Sequence, residues 1–238
     1  MKATIAATPS GKMADMVDEC YMCDAAATSE EHAPPESFFP EGYRSNLVKV
    51  PSCPAHNEAN SKDVEYVRNV ISTQHGTNGA ATLIFEKTKR SFDNSPKLAA
   101  RTFRDLRPVM IEGQETGAFP IDLPRHRRVM EAIAYALYFH DFGKKHRGDW
   151  QIFTPSFKYA ANVHQGASDP WENFRAYVES GQYKSMPVPH PGVFKYGLIE
   201  MEQGQIIYRF EFYESVVVMA WTRFTTFVPL ATIWVPNR

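Results

Sequence analysis

The chain has no apolar run approaching the ~20 residues that a membrane-spanning helix needs. No membrane partner is therefore expected. Its opening, MKATIAATPSGKMADMVDEC, lacks the Leu-rich core of a signal peptide and runs into acidic residues, so the expected location is cytoplasmic. Charge of one sign is also missing. Lys and Arg number 26 against 27 Asp and Glu, and a net charge of -1 excludes a globally basic nucleic-acid binder but not a local basic patch. There is no internal repeat and no low-complexity tract. Cysteine is scarce, with three residues, all in the first quarter of the chain. An odd number is a poor disulfide framework and a good metal framework, provided a fourth ligand lies nearby. Apolar and aromatic residues are not short: 43% and 13% of 238 residues support a packed core in one large domain or two modest ones.

The fourth ligand is present. Cys20-Tyr21-Met22-Cys23 is a C-x-x-C knuckle, and thirty positions after Cys23 comes Cys53-Pro54-Ala55-His56, a C-x-x-H. Each two-residue gap lets a tight turn aim both ligands at one ion, and together they supply three thiolates and one imidazole for a tetrahedral structural zinc. The intervening stretch is long for a simple zinc ribbon, so something folds inside it.

The rest of the chain shows changing periodicity. A helical pattern runs from Lys62 to Ser72, with Val64, Val67, Val70 and Ile71 on one face, and again from Ala80 to Phe92. A third helix is expected from Pro96 to Leu106, and short strands from Val109 to Ile121. The strongest helix runs from about Pro124 to Phe142, with Val129, Ile133 and Leu137 at four-residue spacing and Gly143 as a stop. Beyond Trp150 the segments QIFTPSF, VFKYGLIEM, QIIYRFEFY, SVVVMAW and a last apolar run to Val235 read as strands, with a hairpin turn at Glu202–Gln205 and a short helix near Trp171–Ser180. The aromatic residues Phe194, Tyr196, Tyr208, Phe210, Phe212, Tyr213, Trp221, Phe224, Phe227 and Trp234 are expected to be core. The loop His164–Pro170 carries no assignable role.

The order CYMC, EEHAPP, SNLVKVPSC, HN resembles the HNH endonuclease family over about Cys20 to Asp63. In that family an acidic residue and a histidine share the first strand, an asparagine-leucine pair opens the second, and a helix begins at the second metal pair. The resemblance implies an α+β protein: an N-terminal ββα-metal module with structural zinc, then helices and a mainly antiparallel sheet region. It implies that Glu31 binds a catalytic divalent ion, magnesium or manganese, that His32 is the general base, that Asn46 orients His32, and that Asn57 completes the catalytic site. Two positions depart from the family. Glu31 stands where aspartate is usual, and His56-Asn57 stands where cysteine and histidine are usual. His56 is read as a zinc ligand; the opposite assignment puts His56 on the catalytic ion and leaves the zinc set incomplete.

Histidine suits the expected chemistry because it can accept a proton from water near neutral pH. One carboxylate and one amide oxygen make the oxygen-rich, open site that magnesium prefers. A basic stretch follows the module: Lys87, Lys89, Arg90, Lys97, Arg101 and Arg104 are candidate phosphate contacts, set against the alternative of a solvated helix face. Arg125, Arg127 and Arg128 flank the strong helix at its start, and Lys144, Lys145 and Arg147 suit the negative end of its dipole. His126, His140 and Asp141 resemble fragments of an HD-type phosphohydrolase. Fourteen residues of helix separate the two histidines by about 21 Å, however, so they cannot share an ion unless the helix breaks. His140 and Asp141 are expected to be hydrogen-bonding residues at the helix end.

The expected organisation is a flexible 1–19, a zinc module over 20–75 and an α+β region over 76–238. The expected function is divalent-metal-dependent cleavage of DNA, with RNA left open, suited by analogy to a bacterial anti-phage defence effector. The C-terminal region would serve homodimer formation or a regulatory partner. The alternative is an inactive zinc-containing module that binds nucleic acid or a partner.

Overall fold

Val129, Ile133 and Leu137 recur at four-residue spacing because they lie on the buried stripe of the longest helix, Leu123–Phe142. Its N-cap Asp122 accepts a hydrogen bond from the Arg125 N–H at 3.2 Å, and Pro124 occupies the first turn, where a missing N–H costs nothing. Gly143 ends the helix in the left-handed region, φ 61°, with its N–H on the Phe139 carbonyl. The computed structural model describes residues 19–57, 60–111, 113–155, 157, 183–201 and 204–222.

In chain order, β1 (Ser29–His32) pairs antiparallel with β2 (Lys49–Ser52). A short 3-10 turn, Glu36–Phe38, lies between them. Helices α1 (Pro54–Asn57), α2 (Ser61–Ser72), α3 (Gly79–Asn94) and α4 (Pro96–Thr102) follow, then the ribbon β3 (Arg107–Ile111) and β4 (Gln114–Ala118), and then the long helix, α5. The last sheet holds β5 (Trp150–Phe153), β6 (Lys184–Ser185), β7 (Phe194–Glu200), β8 (Ile206–Phe212) and β9 (Val216–Thr222). Its order is β5-β9-β8-β7-β6, and every pairing is antiparallel. The architecture is mixed helix and sheet, as expected.

Alternation along β8 sends Tyr208, Phe210 and Phe212 to the main core and Ile207 to a smaller cluster with Ile199, Met219 and Trp221 on the other face. Tyr138 of α5 meets Trp150 at 6.2 Å between ring centroids, and Trp150 meets Tyr208 at 5.6 Å. The main core is continuous from Cys20 and Tyr21 to Ala220. Of the expected core aromatics, Phe194, Tyr196, Tyr208, Phe210, Phe212, Tyr213 and Trp221 are buried. Phe224, Phe227 and Trp234 lie outside the described residues, as do the Trp171–Ser180 helix, the His164–Pro170 loop and residues 1–18.

Two boundaries differ from the sequence pattern. The helix from Pro96 stops at Thr102 instead of Leu106, because Phe103 turns inward onto Phe92 and Phe119, each at 5.2 Å, and Asp105 takes φ 58°. Strand β5 stops at Phe153, just ahead of Pro155, which has no N–H to continue the ladder. No helix among the described residues is long and apolar enough to cross a membrane.

A candidate metal centre beside a histidine-lined cleft

The first knuckle is a closed turn. The Cys20 N–H donates to the Ala25 carbonyl at 2.9 Å, and the Tyr21 N–H donates to Pro51 of β2 at 2.8 Å, docking the turn on the hairpin. Cys53 follows β2 directly. The N–H groups of His56 and Asn57 both donate to the Cys53 carbonyl at 3.0 Å, so the first turn of α1 carries the His56 ring back over the sulfur.

The four ligand atoms all lie within 4.8 Å of one another. The Cys23 and Cys53 sulfurs are 3.8 Å apart, and His56 Nδ1 lies 3.4 Å from Cys20 Sγ and 3.3 Å from Cys53 Sγ. A tetrahedron with Zn–S of about 2.3 Å and Zn–N of about 2.0 Å places its sulfurs about 3.8 Å apart and its S–N pairs about 3.5 Å apart. The group therefore fits a metal ion such as zinc. All three cysteines are free of disulfides, and Cys20 and Cys53 are buried. Burial opposes ionisation of Cys20. Backbone hydrogen bonds from Met22, Cys53 and Cys23, with the His56 ring, nevertheless bring its thiol down to about 6, toward the thiolate a metal requires. His56 belongs with the thiolates in this geometry.

Glu31 and His32 are neighbours with different surroundings. Glu31 is half-buried and lies opposite Val50 on β2; Val50 and Ser52 are buried, whereas Ser29, opposite Ser52, is exposed. Glu30 is exposed, and Lys49 bridges to it at 3.1 Å, while His32 is half-buried at the end of the strand. Burial first, and the Cys20 thiolate second, push the Glu31 carboxyl up to about 7 against a hydrogen bond from Ser52. Its Oε2 is shielded from solvent and has no partner among the described residues. The end of β1 opens onto a small cleft bordered by Tyr21, Glu31, His32, Asn60 at the N-terminus of α2, and Ala132 and Ala136 of α5.

The two asparagines are placed differently. Asn57 packs over the start of β1, its amide donating to Ser29 Oγ at 2.7 Å. Asn46 sits in an exposed turn ahead of β2, at φ 57°, and makes no side-chain hydrogen bond to His32. The structure thus puts Glu31 and His32 at the cleft, sets Asn57 of α1 against Ser29 at the other end of β1, and gives Asn46 no hydrogen bond to any of them.

Of the basic residues, Lys87, Lys89 and Arg90 are exposed on α3, Lys97 is exposed on α4, and Arg104 is exposed just beyond it; the backbone of Arg101 belongs to α4. Arg125 and Arg128 are committed to Asp63, and Arg127 to Glu131. α5 runs unbroken, so His126 and His140 cannot meet. Asp141 instead accepts hydrogen bonds from Tyr196 at 2.8 Å and Tyr208 at 2.9 Å.

Lys145 departs from the helix-dipole expectation. Its ammonium reaches Glu19, the Cys23 carbonyl at 2.8 Å and Asp24 at 3.2 Å, while Arg147 binds Asp24 as well. The only trace of this in the sequence is that acidic residues flank the first knuckle and basic ones follow α5. No family model, no curated protein and no solved structure matches the chain.

Proposed function

We propose that this protein is a divalent-metal-dependent endonuclease of the HNH type, acting on DNA, with His32 as general base. The observation that carries the reading is the arrangement around β1. An antiparallel hairpin runs through Cys53 and His56 into a helix, and it presents a half-buried carboxylate with an orphaned oxygen next to a cleft-lining histidine.

The His32 imidazole makes no hydrogen bond among the described residues, so a ring nitrogen is open to accept a proton from a water in the cleft. Glu31 and Asn57 are the residues that would hold magnesium or manganese. Ser29, which Asn57 contacts, and Glu31 project from the same face of β1, about 7 Å apart along the strand. The amide of Asn57 donates to Ser29, which leaves its carbonyl oxygen available to a cation. A bound divalent ion supplies charge stabilisation at a phosphate oxygen and at the departing oxygen. The orphaned oxygen of Glu31 supports this assignment, because a buried anionic oxygen without a partner is costly unless something positive meets it. Zinc in the Cys20, Cys23, Cys53 and His56 set would be structural, its soft thiolates being unsuited to magnesium. Lys87, Lys89, Arg90, Lys97, Arg101 and Arg104 are the proposed phosphate contacts of the DNA.

The second reading, a zinc-containing binding module without activity, is favoured by one observation: Asn46 does not brace His32. Cleavage of supercoiled plasmid with magnesium or manganese, beside His32→Ala at equal zinc content, separates the two. The nuclease reading expects nicking or linearisation by the wild type and a loss of about a hundredfold or more in the variant. Equal cleavage by both proteins would sink His32 as the base, and cleavage by neither would leave the binding module.

A further inference from the structure

We infer that Lys145 holds the first knuckle in its metal-binding shape, so that retention of zinc by the Cys3His centre depends on the exit of α5. The inference rests on the metal centre alone and does not require nuclease activity.

Lys145 is two residues beyond the Gly143 cap, and its side chain is only 6% exposed, whereas its acidic partners Glu19 and Asp24 are 59% and 68% exposed. An ammonium has three N–H donors, and here all three have acceptors: the Glu19 carboxylate, the Cys23 carbonyl and the Asp24 carboxylate. These acceptors bracket the turn that carries Cys20 and Cys23. Glu19 precedes it, in a bridge to Ala26, Cys23 is itself a ligand, and Asp24 follows.

Charge alone does not account for this arrangement. Lys145 and Arg147 balance Glu19 and Asp24, so the four together leave the net negative charge of a three-thiolate zinc centre unchanged. What Lys145 adds is position. Its bond to the Cys23 carbonyl fixes the peptide that sets the direction of the Cys23 side chain, and Cys23 is the one cysteine of the set that is not fully buried. Groups that orient metal ligands from behind typically change affinity by about 10- to 100-fold when removed.

The test is zinc release from the full-length, zinc-loaded protein into an excess of a chromogenic chelator, with folded content checked by circular dichroism. Lys145→Met is expected to release zinc about tenfold faster or more. Lys144→Met, at the adjacent exposed lysine, is expected to match the wild type. Lys145→Arg, which keeps the charge but not the compact three-donor geometry, is expected to fall on the fast side. Should Lys145→Met fail to fold, the double variant Glu19→Gln, Asp24→Asn keeps the lysine and weakens its anchors, and faster release from it supports the assignment. Wild-type release rates in Lys145→Met, or in that double variant where it is needed, overturn it. A wild-type protein that takes up no zinc overturns the centre itself and this role with it.

Discussion

His126 lies in the first turns of α5 with 3% of its surface exposed, its Nε2 2.8 Å from Thr154 Oγ1 and its ring edge-on to Phe157. Burial lowers its pKa from 6.5 to about 4. The unfolded chain therefore binds a proton near pH 6.5 that the folded chain refuses until about pH 4. This group costs nothing above pH 6.5, and its destabilisation grows as pH falls through that window, to roughly 3 kcal/mol. Thermal unfolding of wild type and His126→Gln between pH 7.5 and 4.5 should diverge, with the wild type losing Tm faster. Parallel curves would mean that the ring is protonated in the fold or solvated. The group that fits a metal ion, Cys20, Cys23, Cys53 and His56, was legible in the sequence because thiolates and imidazole at two-residue gaps have little else to do. The burial of His126 and the inward turn of Glu31 were not, because both depend on neighbours distant in the chain: Thr154 and Phe157 for one, Ser52 for the other.

Helices α2 and α5 are joined by more than apolar packing. Asp63 receives Arg125 Nε at 2.6 Å and Arg128 Nη2 at 2.7 Å, and the Arg125 guanidinium lies 4.5 Å above the Tyr66 ring. The Asp63 side chain is 15% exposed, so this pairing is partly shielded from water. Partial burial works against ionisation of Asp63, yet the two arginines hold its carboxyl below the usual aspartate range. Its stabilisation is accordingly complete above about pH 4 and is lost as pH falls below that. Asp63→Ala should cost about 2 kcal/mol at pH 7, measured by urea unfolding, and leave the slope of the transition unchanged. A cost under about half a kilocalorie would place this network among ordinary surface ion pairs. At this scale the sequence was informative where one face dominates, as in α2, α3 and α5. It was silent on β6, whose two residues are too short to show alternation, and on the end of α4, set by Phe103 packing onto Phe119 beyond the β3–β4 ribbon.

The ββ-helix unit and the five-stranded sheet share one interior. Phe38 meets Phe212 at 5.8 Å, and the buried Tyr213 hydroxyl donates to the Phe38 carbonyl at 2.7 Å. The Asn78 side chain reaches Gly192 at 2.7 Å and Glu214 at 3.1 Å, pinning the start of α3 to the sheet's turns. Loss of the metal should therefore be felt in the sheet. Chelation is expected to lower the midpoint of a single thermal transition by about 5 °C or more, as followed by the fluorescence of a variant with Trp171 and Trp234 replaced by Phe, which reports Trp150 and Trp221 of the sheet. An early transition that leaves the tryptophan signal in place would instead make residues 20–57 an independent unit. Periodicity alone could not foresee this sharing, since it reports which face of an element is apolar and not which partner covers it.

The pleat of β1 has a consequence of its own. Along Ser29–His32 the Glu31 side chain sits opposite Val50 and near the Cys20 sulfur, while Glu30 before it is exposed and paired with Lys49. The Glu31 carboxyl is desolvated, while the half-buried His32 next to it lines the cleft. Such a strand tolerates substitution far better than insertion. One residue gained or lost between Cys23 and Glu31 would exchange the environments of Glu31 and His32 without altering either side chain.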